Sequence, residues 1–120
     1  MPVSILTLDL KSRRVVAAYR KHHAAVWPEV LASLRRVGVV DMEIFALGRR
    51  LVMVLETKPG FNAKRDFARH RKSHPRVQEW EKLMAGFQRP APDAPAGLLW
   101  APMEHVFSLR NQLRALRKGR

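Results

Sequence analysis

The stretch MEIFALGRRLVMVLET, Met42–Thr57, reads as two strands and the turn between them. Met42–Leu47 and Leu51–Thr57 are apolar, β-compatible runs, and Gly48-Arg49-Arg50 is a short glycine-containing connection of the kind that closes a hairpin. Outward on the N-terminal side, Ile5–Leu10 is a further strand candidate. After it, Val15, Val16, Tyr19, His23, Val26, Trp27, Val30, Leu31 and Leu34 recur at helical spacing. Ser12 stands where a helix cap belongs, and Gly38 supplies the stop. On the C-terminal side, Lys58-Pro59-Gly60 is a turn, Asn62 opens a helical region containing Phe67, and Pro75 starts another helix. That helix carries Val77, Trp80, Leu83, Met84 and Phe87 on one stripe. RPAPDAPAG, Arg89–Gly97, has too many prolines for regular structure, Met103–Leu109 reads as the last strand, and the chain ends in a basic helix or frayed tail.

Strand-helix-strand twice over, around a central hairpin, predicts an α+β ferredoxin-like sandwich. The expected organisation is one domain over residues 1–109 and a basic tail over 110–120. Helices cover one face of such a sheet and leave the other open. Met42, Ile44, Leu51, Met53 and Leu55 are apolar enough to need a cover, so a homodimer joined through its sheets, a dimeric α/β barrel, is expected.

Composition narrows the function. The 120 residues are 47% hydrophobic, enough for a modest core. There is no cysteine, which excludes disulfides, zinc thiolates and cysteine nucleophiles. The formal charge of +13 attracts polyanions in general. Its cations are scattered, however, and the aromatics lie in apolar stripes away from them, which argues against base stacking. No signal-length or membrane-length apolar run is present, and a cytoplasmic protein with no membrane partner is expected.

The chemistry gathers in YRKHHAAVWPEV, Tyr19–Val30. In one continuous helix, Tyr19, His23 and Trp27 share a face, and Pro28 removes a backbone hydrogen bond at a cost of roughly 3 kcal/mol. A bend after His23 is therefore expected, tilting the Tyr19–His23 face towards the sheet. His23 is the candidate acid–base group, while His22 points to another side and is expected in solvent. His70 and His74 stand at i, i+4 among four cations with no obvious third ligand, so no metal is expected. Glu79 and Glu81 flank Trp80, and only one of them shares its face. Glu104, in the last strand, is a further carboxylate candidate for the concave side of the sheet.

The segments YRKHHAAVWPEV, DMEIFALGRRLVMVLET, VQEWEKLM and PMEHVFSL, in this order, resemble the L-rhamnose mutarotase family, which also includes bacterial L-fucose mutarotases. The resemblance runs to about Leu109. It implies a ferredoxin-like dimer, no cofactor, and interconversion of the α and β anomers of a 6-deoxy-sugar. It also implies that His23 is the proton donor and that Tyr19 contacts the monosaccharide; ring opening would then have His23 protonate the ring oxygen while Tyr19 or a carboxylate such as Glu104 handles the second proton. Trp27 and Trp80 would hold the sugar's apolar face or pack beneath it. Two positions depart from the family pattern. Glu81 stands for a second tryptophan, and Met42 for a tyrosine on the second strand, so both join the substrate-binding candidates. Glu43 and Glu81 are candidates to bind sugar hydroxyls where the family has those aromatics. The forms around Met42 and Trp80 lean towards L-fucose. Two rivals stand beside this reading: another cofactor-free dimeric α+β barrel enzyme using the same histidine, and a nucleic-acid-binding module.

Overall fold

Alternation in LTLDL places Leu6, Leu8 and Leu10 on one face of strand β1 (Val3–Leu10), and all three are buried. The computed structural model describes residues 1–119, so the last residue of the expected tail lies outside the described residues. Strand β1 pairs antiparallel with β3 (Arg50–Thr57), from Val3 opposite Glu56 to Asp9 opposite Arg50. The predicted hairpin is present, with β2 (Val39–Leu47) on the far side of β3 and a bulge between Val39 and Asp41. Gly48 makes its turn at φ +58°, a conformation open to glycine at little cost.

The fourth position of the sheet differs from expectation. Met103–Leu109 is not a strand. The edge of β1 is instead lined by two short pieces, β4 (Gln88–Arg89) beside Asp9 and Leu10, and β5 (Ala101–Pro102) beside Leu6 and Thr7. Both run antiparallel to β1, so residues 90–100 form an excursion within one interrupted edge strand. Pro90, Pro92 and Pro95 cannot donate to a ladder, and the chain resumes pairing only where they end. The sheet order β2-β3-β1-β4 is that of the ferredoxin-like sandwich.

Helices cover the face that carries Leu8, Leu10 and Leu51. A 3₁₀ turn (Arg13–Val15) leads into α1 (Val16–His23), and α2 (Pro28–Arg36), α3 (Ala63–Lys72) and α4 (Pro75–Ala85) follow. Ser12 precedes the first turn, but its side chain makes no cap bond. Where a bent helix was expected, the helix breaks. Proline disfavours helical backbone in the residue before it, so Trp27 is extended (φ −62°, ψ 138°) and Pro28 becomes the first residue of a new helix. There its missing N–H deprives no partner, and the interior penalty does not arise.

Asn62 caps α3 by accepting from Arg65 N–H at 2.9 Å. Asp66, buried in the first turn, accepts from Asn62 N–H at 2.8 Å, from Arg65 and from Arg69. These bonds hold its carboxyl well below the usual carboxylate range, the Arg65 pair contributing most. His74 caps α4 through Nδ1, which accepts from Arg76 N–H at 2.9 Å.

One core cluster gathers Leu8, Leu10, Tyr19, Val30, Leu51, Val77, Trp80 and Met84, and a second gathers Leu6, Val37, Val39, Met53 and Leu55. Burying a leucine of this kind stabilises by roughly 1.5–3 kcal/mol. Trp100, just after the proline excursion, packs against both. Met42 and Ile44 also lean on these clusters, so the five apolar strand residues expected to need a cover receive it from the helices. The open face carries Ile5, Phe45, Leu47, Val52 and Val54 instead, with Phe45 57% and Leu47 84% exposed. The tail forms a helix, α5 (Leu109–Arg117), that buries no residue.

Candidate active site

The last turn of α1 delivers Tyr19, His22 and His23 to the edge of the first core cluster. Tyr19 and His23 stack with ring centroids 4.3 Å apart and planes 27° off parallel. Trp80, from α4, closes on His23 edge-on at 5.4 Å. Breaking the helix does not remove Trp27 from this group, because the turn before α2 brings its indole against Trp80 at 5.2 Å. Arg76 lies over the Trp27 ring, 3.7 Å from its centroid, and pairs with Glu79 and Glu29. Each aromatic contact adds about 0.5–1.5 kcal/mol beyond area burial and fixes the wall's shape.

The proton positions follow from the partners. His23 Nδ1 lies 3.0 Å from the carbonyl oxygen of Tyr19. A carbonyl only accepts, so Nδ1 carries the proton, and in the neutral ring Nε2 keeps a free lone pair. Burial pushes the His23 pKa below its ordinary value; the nearby His22 pushes the same way, and the bond to Tyr19 opposes them. The Tyr19 hydroxyl receives a hydrogen bond from Gln88 Nε2 at 3.2 Å. Burial raises the Tyr19 pKa and the charge of Glu81 adds to this, against the Gln88 bond. At neutral pH the site therefore presents a neutral imidazole with one open nitrogen beside a protonated phenol.

Three neighbours go beyond the expected group. His22 is half-buried, not solvent-facing, and meets Trp80 at 6.4 Å and Phe87 at 5.7 Å. Phe87 also stands edge-on to Tyr19 at 6.1 Å. Gln88 arrives from β4, the strand piece that proline content conceals. The helical stripe of α4 marks Phe87 only as a core residue, and no periodic signal marks Gln88.

The remaining candidates lie elsewhere. The Glu81 carboxylate meets His70 Nε2 at 3.3 Å, at the border of the aromatic cluster. His70 is buried, with Nδ1 2.7 Å from Ser33 Oγ, and Ser73 Oγ donates to the His70 carbonyl. His70 and His74 are thus committed to different partners, and no group of three or more metal-ligating side chains occurs among the described residues. Met42 pairs with Leu55 and packs in the second cluster. Glu104 is exposed, just past the bond from Met103 N–H to the Ile5 carbonyl. That end of β1 is about 17 Å along the strand from the Leu10–Gln88 end that frames His23. Glu43 points to the open face beside Val54. An open groove beside α1 is lined by Val16, Arg20, Ile44, Phe45, Ala46 and Gly48 and does not include His23.

The ferredoxin-like sheet thus carries a partly buried imidazole beside a phenol and two indoles. Residues 4–109 match the profile of the L-rhamnose mutarotase family, and the chain belongs to that family. Membership makes it an isomerase. An L-fucose mutarotase of Xanthomonas campestris is 37% identical over 97 residues, covering 79% of this chain and 77% of that one. An L-rhamnose mutarotase of Acidiphilium cryptum is 32% identical over 97 residues, 78% and 85% of the two chains. The crystal structure of an L-rhamnose mutarotase from Formosa agariphila superposes with a TM-score of 0.64 at 21% identity, covering 91% of this chain and 99% of that one, and supports the fold.

Proposed function

We propose that the chain interconverts the α and β anomers of a 6-deoxy-hexose, L-fucose in preference to L-rhamnose, by general acid–base ring opening without a cofactor. The observation that carries this reading is His23, whose Nδ1 is tied to the Tyr19 carbonyl while Nε2 has no protein partner among the described residues, at a partly buried position.

The lowered pKa of His23 sets the direction of proton flow. A neutral imidazole takes the proton of the anomeric hydroxyl at Nε2. The bond from the anomeric carbon to the ring oxygen breaks as the carbonyl forms, and the ring oxygen takes a proton from the Tyr19 phenol. This reverses the first-step role that the resemblance gives His23. After the carbon–carbon bond turns, the ring closes on the other face of the aldehyde, and both protons return to their original owners. Tyr19 is 3% exposed, so the sugar reaches its hydroxyl by displacing the Gln88 side chain that covers it. Trp80 and Trp27 hold the apolar face of the sugar, and His22 stands at its rim. Each proton transfer contributes ~10²–10⁴-fold, enough for a reaction that already proceeds in water.

The working form is a homodimer. Ile5, Phe45, Leu47, Val52 and Val54 make the uncovered sheet face apolar, and a second copy of the same face covers it. The preference for L-fucose rests on the sequence forms around Met42 and Trp80, which resemble those of the L-fucose members, while Met42 itself packs in the second core cluster. A polarimetric trace of freshly dissolved crystalline sugar tests the reading. The protein should speed the approach to equilibrium for L-fucose more than for L-rhamnose. Equal traces with and without protein for both sugars would leave only the fold shared with the family.

A further inference from the structure

Helix α5 begins where the family match ends, at Leu109. Leu109, Leu113 and Leu116 fall at i, i+4 and i+7 and form one row, each at least 50% exposed. Val106 and Phe107, just before the helix, are exposed as well. Arg110, Arg114 and Arg117 each follow a leucine by one residue and form a cationic stripe alongside, joined by Lys118. No acidic residue occurs after Glu104. No other element packs substantially against α5 among the described residues, and it buries none of its own side chains.

We propose that α5, with Val106 and Phe107, docks on an anionic lipid surface. The choice of occupant rests on chemistry. A polyanion such as nucleic acid neutralises the arginines but leaves the leucine row in water. A second α5 buries the leucines but supplies no negative charge to the arginines and doubles the positive charge along the pair. An anionic membrane offers an apolar phase and negative charge in the same plane, and long cationic side chains reach back to the headgroups while leucines enter. The nine-residue helix lies on such a surface; no helix among the described residues is long and apolar enough to cross it.

Flotation of the full chain with phosphatidylcholine vesicles, with and without phosphatidylglycerol, tests the proposal. Protein should float with the anionic vesicles and not with neutral ones, and lose binding in high salt. Arg114→Glu removes one cation and adds an anion, which at roughly fivefold per charge weakens partition about 25-fold. Leu113→Asp should abolish it, and both variants should keep anomerase activity, because no residue of α5 belongs to the cluster around His23. Failure to float with anionic vesicles overturns the proposal, as does equal flotation with neutral ones or with a chain ended after Ser108. A shift from dimer to monomer in Leu113→Asp would give the helix to a second copy and overturn it too. RNA binding insensitive to Leu113→Asp, without flotation, would assign the stripe to nucleic acid.

Discussion

The His23 ring stacks on Tyr19 at 4.3 Å and bonds back to the Tyr19 carbonyl at 3.0 Å, so one residue fixes both its plane and its tautomer. His23→Ala should lower anomer exchange by ~10²–10⁴-fold, the usual contribution of one acid–base group. The variant also loses the ring's contacts with Tyr19 and Trp80, so the melting temperature should fall by a few degrees while the fold is kept. A full-rate His23→Ala enzyme would move the chemistry elsewhere.

Tyr19 separates a chemical from a packing role. Tyr19→Phe keeps the ring stacked on His23 and removes only the hydroxyl that Gln88 contacts. Activity should drop at least tenfold with the melting temperature nearly kept. Tyr19→Ala should also destabilise by roughly 3–5 kcal/mol, the range for losing a buried aromatic ring. Equal rates for Tyr19→Phe and the parent would reduce Tyr19 to a support for His23.

The pH profile reports which form of His23 works. Its pKa is lowered, chiefly by burial, so the neutral ring persists to more acid solution than in a free histidine. Acting first as base, His23 gives a rate that rises with pH through a midpoint below 6.5 and is flat across neutrality. A rate that falls as pH rises through neutrality would assign the working form to the imidazolium. The sign for stability follows from the same shift. As pH falls below 6.5 the unfolded chain binds the proton first, so the native state loses stability until its own midpoint is reached.

Asp66 is lowered instead, so its contribution is complete above the ordinary carboxylate pKa and is lost as acid approaches its depressed native value. Asp66→Asn should lower the melting temperature at neutral pH and flatten its acid dependence. Activity measured well below that melting temperature should be unchanged. An unaltered acid limb would mean that the arginine pairs on Asp66 do not hold α3.

Phe45→Asp places a charge on the open sheet face without touching the helix-covered core. Light scattering should report a dimer for the parent and a monomer for the variant. A dimeric Phe45→Asp protein would place the subunit interface elsewhere.

The hairpin was legible because strand alternation and Gly48 point the same way, and α4 because Pro75, Val77, Trp80 and Met84 agree with one helical face. Pro28 misled as to its position, because a helix period runs unbroken through Trp27 while the backbone restriction before proline acts only locally. The fourth strand was hidden because its two pieces are separated by prolines, and the apolar run Met103–Leu109 mimics a strand although Val106 and Phe107 face solvent. That error also displaced Glu104. Within the site, Tyr19 and His23 share a face as their spacing implied, whereas Trp27 reaches the group through the turn before Pro28 and Trp80 comes from a separate helix that no spacing links to them. His22 was misjudged because a helix that ends at His23 has no further turn to keep its neighbour in solvent, and Trp80 and Phe87 reach round that end.

The most direct measurement of the central claim is NMR saturation transfer between the two anomeric protons of L-fucose, for the parent chain and His23→Ala under identical conditions. The account predicts strong transfer with the parent and transfer at the uncatalysed level with the variant. Equal transfer in both would contradict it.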